Sequence, residues 1–311
     1  MTTLYIIHPA FLAHDTGPGH PERSDRLRAV EKALAHDIFA GLTRREAPLS
    51  SVDPARLMHD DRYIAALEAA APKTGSVHID GDTLMSPGTW EAALRAVGAA
   101  VYATDAVMSG AAQNAFCAVR PPGHHAEAAR AYGFCFFNNV AIAAVHARAK
   151  HGASRVAVVD FDVHHGNGTQ NMFWRDRNLF YASSHQMPLF PGSGHPSETG
   201  AHNNIVNVAL RHGDAGKQFR EAYETRILPA LDAFQPDLVI ISAGFDAHHA
   251  DPLGGVALVE DDFAWVTRKL IEIADKHAGG RVVSMLEGGY DLTGLAMSTA
   301  AHVRELLAAS R

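Results

Sequence analysis

The 311-residue chain reads as a single α/β domain, residues 1–311, with a mostly parallel central sheet and helices on both faces. Three observations predict it. Several short runs, such as RVAVVDF at 155–161 and DLVIIS at 237–242, are continuously apolar, as expected when helices cover both faces of a parallel strand. Helical patterns alternate with these runs along the whole length, uninterrupted by any linker, repeat or low-complexity tract. Finally, five of the runs deliver polar, titratable or glycine-rich residues at the same end.

In chain order, strands are expected at 4–7, 115–119, 155–161, 179–183, 204–208, 237–242 and 281–286. Helices are expected at 21–38, 89–110, 138–152, 216–234, 260–277 and 292–309. Pro21 sits where a first helical turn tolerates proline, and Gly110 and Gly152 stand where helices stop.

Composition narrows the function. Hydrophobic content of 47% with 20% charged residues is ordinary for a globular protein, and no segment approaches the roughly 20 apolar residues of a membrane span. The N-terminal MTTLYIIHPAF lacks a basic leader, so a cytoplasmic protein is expected. A formal charge of −7 with scattered Lys and Arg gives nucleic acid binding little support. Cys117 and Cys135 have no CxxC spacing and read as small buried hydrophobes.

Open parallel sheets bind ligands at the carboxyl ends of their strands. AFCAV runs into RPPGHH, RVAVV into DFDVHHGNG, LFYAS into SHQ, DLVIIS into AGFDAHH and RVVSML into EGGYD. In VVDFDVHHGNGTQ (158–170), carboxylates crowd against imidazoles after an apolar strand, and such crowding needs a positive partner. Along an extended chain Asp160, Asp162 and His164 share one face, and Asp246 reaches the same edge from its own strand. Asp162, His164 and Asp246 with an open position suit a catalytic Zn²⁺, and the oxygen-rich set also suits Fe²⁺ or Mn²⁺.

His124 and His125 in RPPGHH are candidates for acid/base work beside that cluster. Asp160, where it is not a ligand, can orient one of them, and Asn167 the other. Tyr290 in EGGYD follows two glycines that let it swing inward as a hydrogen-bond donor to a developing oxyanion. Phe134 in GFCFFNN and Phe190 in LFPGSG are candidate pocket walls.

With these residues assembled, the chain resembles the zinc-dependent histone deacetylase family, closest to its class II and bacterial amidohydrolase-like members. The similarity runs from HDTGPGHPERSDRL (14–27) through RPPGHHAE, GFCFFNNVAIAA, DFDVHHGNGTQ, SAGFDAHHADPLGG and EGGYDL. The resemblance implies an arginase-like fold, with Asp162, His164 and Asp246 on zinc. It pairs His124 with Asp160 and His125 with Asn167, and gives Tyr290 the acyl carbonyl. Phe134 and Phe190 would line an acyl-lysine tunnel, the Gly133 carbonyl would accept the substrate amide hydrogen, and Leu253 matches the leucine of protein deacylases. A structural K⁺ would engage Asp160, the backbone of Asp162 and His164, and Ser183 with Ser184. The acidic rim residue has Asp82 as its nearest candidate.

The expected activity is hydrolysis of an acetyl or other short acyl group from the ε-amine of lysine in proteins or peptides. The alternative is the same chemistry on small N-acetylated polyamines. A binuclear manganese ureohydrolase would carry an aspartate two residues beyond the metal histidine, where this chain has Gly166. Homodimers and homotetramers remain open.

Overall fold

A computed structural model describes residues 2–310. Its centre is an eight-stranded sheet in which every pairing is parallel. The strands are β1 (Thr3–Ile7), β2 (Thr43–Glu46), β5 (Asn114–Cys117), β6 (Val156–Asp160), β7 (Leu179–Gln186), β8 (Ile205–Leu210), β9 (Leu238–Ala243) and β10 (Val282–Leu286). They lie in the order β2-β1-β5-β10-β9-β6-β7-β8. The two remaining strands, β3 (Val77–His78) and β4 (Leu84–Met85), form a small antiparallel pair.

Every residue of β6, β9 and β10 is buried, so both faces of the sheet centre are covered and the domain is a single α/β unit. The long helix α3 (Thr89–Met108) packs on α4 (Asn139–His151). The helices α1 (Asp25–Leu34), α8 (Glu260–His277) and α9 (Leu292–Ala309) pack together as another group. No described helix is long and apolar enough to cross a membrane.

All seven expected strands form, and an eighth, β2, joins the edge. Its sequence TRRE is exposed and charged, which suits an edge strand and erases the apolar signal. The helices α2 (Asp61–Ala70) and α5 (Asn167–Phe173) were also outside expectation, α5 because its seven residues begin inside the glycine-bearing motif. The helix expected from Pro21 starts four residues later, at Asp25. The one expected at 216–234 is three pieces: α6 (Gly216–Ala222), a π-turn at Tyr223–Ile227, and α7 (Leu228–Phe234). Pro229 has no N–H to continue the ladder there. Gly152 caps α4 at φ 68° and Gly110 follows α3 at φ 77°, both as expected.

The reason α1 starts late is electrostatic. Glu22 is fully buried and stays outside the helix to meet two equally buried guanidiniums. Arg26 reaches its Oε1 at 2.9 Å, and Arg120 grips both oxygens, Nη2 donating to Oε2 at 2.6 Å. Arg26 also donates to the Gly289 carbonyl at 2.6 Å, and Arg120 to that of Phe11 at 2.8 Å. Burial pushes the Glu22 carboxyl up, but Arg120 and Arg26 outweigh it and hold it well below the usual range.

Replacing Glu22 with Gln leaves two buried arginines short of their counter-charge, and should cost about 3–5 kcal/mol. Chemical denaturation of the two proteins at neutral pH checks this; equal unfolding free energies would show that the cluster does not anchor the fold.

Candidate active site

The carboxyl ends of β5, β10, β9, β6 and β7, adjacent in the sheet, all supply the site. β6 ends at Asp160, and the chain then turns rather than continuing extended. The Asp162 N–H donates to Asp160 Oδ1 at 3.1 Å, and the His164 N–H to Asp162 Oδ1 at 2.9 Å. The expected alternation along a strand is therefore replaced by consecutive side-chain-closed turns, which still bring Asp162 and His164 together.

Asp246, following β9, completes the group. His164 Nδ1 lies 3.1 Å from Asp162 Oδ1 and 3.1 Å from Asp246 Oδ2. The three residues are buried and offer donor atoms all within 4.8 Å of one another. The second oxygens are already engaged: Gly288 N–H donates to Asp162 Oδ2 at 2.8 Å, and Val163 N–H to Asp246 Oδ1 at 2.8 Å. A Cβ on Gly288 would stand 2.1 Å from Asp246 Oδ2 and 2.6 Å from Asp162 Oδ2, so glycine is required for the backbone to close over this set. Two carboxylates and one imidazole, buried and convergent, fit a divalent metal ion with an open coordination position.

Beside this group the two histidines have unlike partners. His124 Nδ1 is 3.0 Å from Asp160 Oδ2, and His125 Nδ1 is 2.9 Å from Asn167 Oδ1. Asn167 donates its amide to Glu127 Oε1 at 2.7 Å, which leaves its carbonyl facing His125. His125 Nδ1 thus carries the hydrogen, and Nε2 is the bare nitrogen.

Burial, with His124 and His164 nearby, holds His125 well below its usual range, so it is neutral. Burial also pulls His124 down, but the carboxylates of Asp162 and Asp160 outweigh it and raise it to about 10. A cation on Asp162 would draw part of that field away from His124.

A cavity of about 780 Å³ opens onto His125, His164 and Tyr290, with Gly133, Phe134, Phe190, Leu253 and Asp82 on its walls. Gly133 (φ 54°) and Phe134 (φ 69°) are both left-handed, and a Cβ on Gly133 would meet the His125 ring at 2.6 Å. The Gly133 carbonyl is not wholly free, because Cys135 Sγ approaches it at 3.3 Å. Phe134 and Tyr290 are edge to face at 6.1 Å, as are His125 and Phe190 at 5.1 Å. Tyr290 is held at its backbone by Asp251 Oδ2 at 2.7 Å, and burial keeps its phenol protonated.

Asp82 is exposed at the wall, its carbonyl 3.1 Å from His20 Nε2. Ser183 lies beside Asp160 in register, whereas the Ser184 hydroxyl turns to Tyr223 at 3.4 Å.

Three site residues went unread in the sequence. Tyr181 donates to Asp160 Oδ2 at 3.0 Å. Glu287 Oε2 accepts the N–H groups of Gly123 at 2.6 Å and His124 at 3.1 Å. His20 joins the cavity wall against Phe134, ring centroids 4.7 Å apart. Glu287 was legible at the end of its strand beside EGGYD; Tyr181 sits inside an apolar run and carried no signal.

A paired-histidine couple, a half-buried phenol and a metal-suited set around one cavity at the strand ends equip the protein for hydrolysis of a carbonyl compound. Comparison with known proteins specifies the class further. The profile described as "Histone deacetylase domain" matches residues 20–306. The chain is 37% identical over 300 residues to a "Probable deacetylase" of Archaeoglobus fulgidus, covering 94% of this chain and 83% of that one. It is 38% identical over 277 residues to a "Histone deacetylase-like amidohydrolase" of Pseudomonas aeruginosa, covering 88% and 73%. The crystal structure of the HDA15 HD domain superposes with a TM-score of 0.94 at 33% identity, over 100% of this chain and 91% of that one. The protein belongs to the histone deacetylase family and is a hydrolase that removes acyl groups.

Metal uptake by these three residues would displace protons. Burial pulls His164 down, but Asp246 and Asp162 outweigh it and raise it to about 10; burial and Asp162 raise Asp246 to about 7. Below pH 10 His164, and below pH 7 Asp246 as well, hold protons that compete with the ion. Metal binding at pH 7 should release protons into weak buffer, and apparent affinity should fall about tenfold or more per unit as pH drops below 7. Chelator competition across pH measures this, and a flat profile would remove these residues from the ligand set.

Proposed function

We propose that the protein hydrolyses the ε-N-acyl amide of lysine in a peptide or protein, acetyl foremost, with one catalytic Zn²⁺ on Asp162, His164 and Asp246. The observation that carries this reading is the cavity: Phe134, Phe190 and Leu253 give it apolar walls for an alkyl chain, and polar His125, His164 and Tyr290 line it too. Bound there, the ion would supply Lewis-acid polarisation of the acyl oxygen and acidify a water from a pKa of about 16 toward roughly 7.

The chain's own groups supply the rest. His125, neutral and with Nε2 bare, takes the proton from the attacking water. The protonated Tyr290 hydroxyl donates to the oxyanion as it develops. His124 is held on Asp160 beside the pair, and a histidine returns the proton to the leaving amine. The second lone pair of the Gly133 carbonyl is available to the substrate amide hydrogen.

K⁺ is assigned to Asp160, the backbone of Asp162 and His164, and the Ser183 and Ser184 pair. Supporting this, burial raises the Asp160 carboxyl despite His124, and a fixed cation would stabilise its charge. Gly166 supports a single catalytic ion. A Cβ there would stand 2.5 Å from Asp160 Oδ2 and 2.6 Å from the Tyr181 hydroxyl, leaving no room for an aspartate that bridges a second metal.

The polyamine reading has one observation in its favour. Asp82 on the wall can offer negative charge to an amine, although burial and its neighbour Asp80 raise its carboxyl. Turnover of an acetyl-lysine peptide beside acetylputrescine and acetylspermidine, with zinc supplied, separates the two: the peptide is the expected substrate, and preference for the polyamines would overturn that choice.

Tyr290→Phe and His125→Ala should each lower kcat/KM by about 10² to 10⁴ with the fold intact. Near-normal turnover by either variant would require a different proton carrier or oxyanion donor.

A further inference from the structure

A second group of metal-suited side chains stands apart from the catalytic centre. Asp105 lies in the last turn of α3, and His146 and His151 lie in the second half of α4. His146 Nε2 is 2.7 Å and His151 Nε2 2.6 Å from the same oxygen, Asp105 Oδ1. All three donor atoms fall within 4.8 Å of one another, and all three residues are half-buried. Asp105 has no Lys or Arg partner among the described residues.

The group sits toward the amino ends of the strands, the opposite end from the active site. α4 begins at Asn139, next to Asn138, whose amide reaches Thr169 Oγ1 at 3.1 Å on the active-site side. It ends at His151, just before β6 starts at Val156. The length of β6 therefore separates the two groups, roughly 15 Å at ~3.3 Å per residue.

We propose that Asp105, His146 and His151 form a second metal site. It takes one divalent transition-metal ion of borderline softness, Zn²⁺, Ni²⁺ or Cu²⁺, with its remaining coordination positions open to water. Two imidazoles and a carboxylate are the donors these ions prefer. The two helices present them from fixed backbone, so binding needs little reorganisation. A tetrahedron with bonds of about 2 Å has edges of roughly 3.3 Å, so the two short spacings open by well under an ångström, within reach of small side-chain rotations. The carboxylate binds through Oδ1 or rotates to offer Oδ2, which has no hydrogen-bond partner among the described residues.

The test uses holoenzyme whose catalytic centre is already filled, dialysed against Zn²⁺ and analysed for metal content. Two equivalents per chain are expected in the natural sequence, and one in His146→Ala and in His151→Ala, both with unchanged turnover. One equivalent in the natural sequence would mean that the triad is only a hydrogen-bonded clasp between helices, and would overturn the site. So would a second equivalent that survives in the double variant. Cu²⁺ added to the zinc-filled natural protein gives an independent reading. Its electron paramagnetic resonance spectrum should show coupling to two imidazole nitrogens, and an identical spectrum from His151→Ala would also refute the proposal.

Discussion

Four carboxylates, Asp160, Asp162, Asp246 and Glu287, are buried at the ends of neighbouring strands, and among the described residues no lysine or arginine pairs with them. This is the constraint on which the rest of the structure depends. Isolated buried carboxylates are strongly disfavoured, and the chain answers with imidazoles and main-chain N–H groups from Val163, His164, Gly123, His124 and Gly288. What those donors leave uncompensated shows in Asp246 and Glu287, each pushed up to about 7 chiefly by burial. The nearby Glu22 is the contrasting case: there the fold does provide guanidiniums, two of them, and the carboxyl stays ionised. Arginine is kept for the scaffold, and positive charge in the centre is left to groups that can exchange it.

That division explains the backbone. Main-chain donors reach carboxylates only if the chain passes very close, and a Cβ on Gly244 would lie 2.0 Å from Asp162 Oδ2, as one on Gly288 would lie 2.1 Å from Asp246 Oδ2. The glycines after β9 and β10 are therefore part of the electrostatic solution. Arg26 extends it by holding the Gly289 carbonyl while its guanidinium lies 5.0 Å over the Tyr290 ring. One residue thereby couples the Glu22 anchor to the placement of the phenol.

The core strands were legible because burial on both faces leaves uninterrupted apolar runs, as in VAVVD and LVIISA. β2 was not, since an exposed edge carries charge instead. The site divides along the same line. Asp160, Asp162 and His164 lie close along one chain and could be read from spacing, and Asp246 followed from the rule that strand ends share an edge. Tyr181 could not be found this way. It reaches Asp160 only because β7 pairs with β6 so that Tyr181 stands beside Val158. His20 likewise meets Phe134 through a loop whose path no local pattern encodes.

The unlike partners of the two histidines have a mechanistic consequence. Placed side by side with ring centroids 3.9 Å apart, two imidazoles cannot both be readily charged. Asp160 gives His124 a full negative charge to lean on, whereas Asn167 gives His125 only a dipole. Without a bound cation the charge favours His124, and its field depresses His125 further, which favours the neutral ring there. An aspartate at 167 would reduce this asymmetry by favouring the protonated form of both rings. The asparagine thus does more than orient His125: by withholding a charge, it favours the neutral ring.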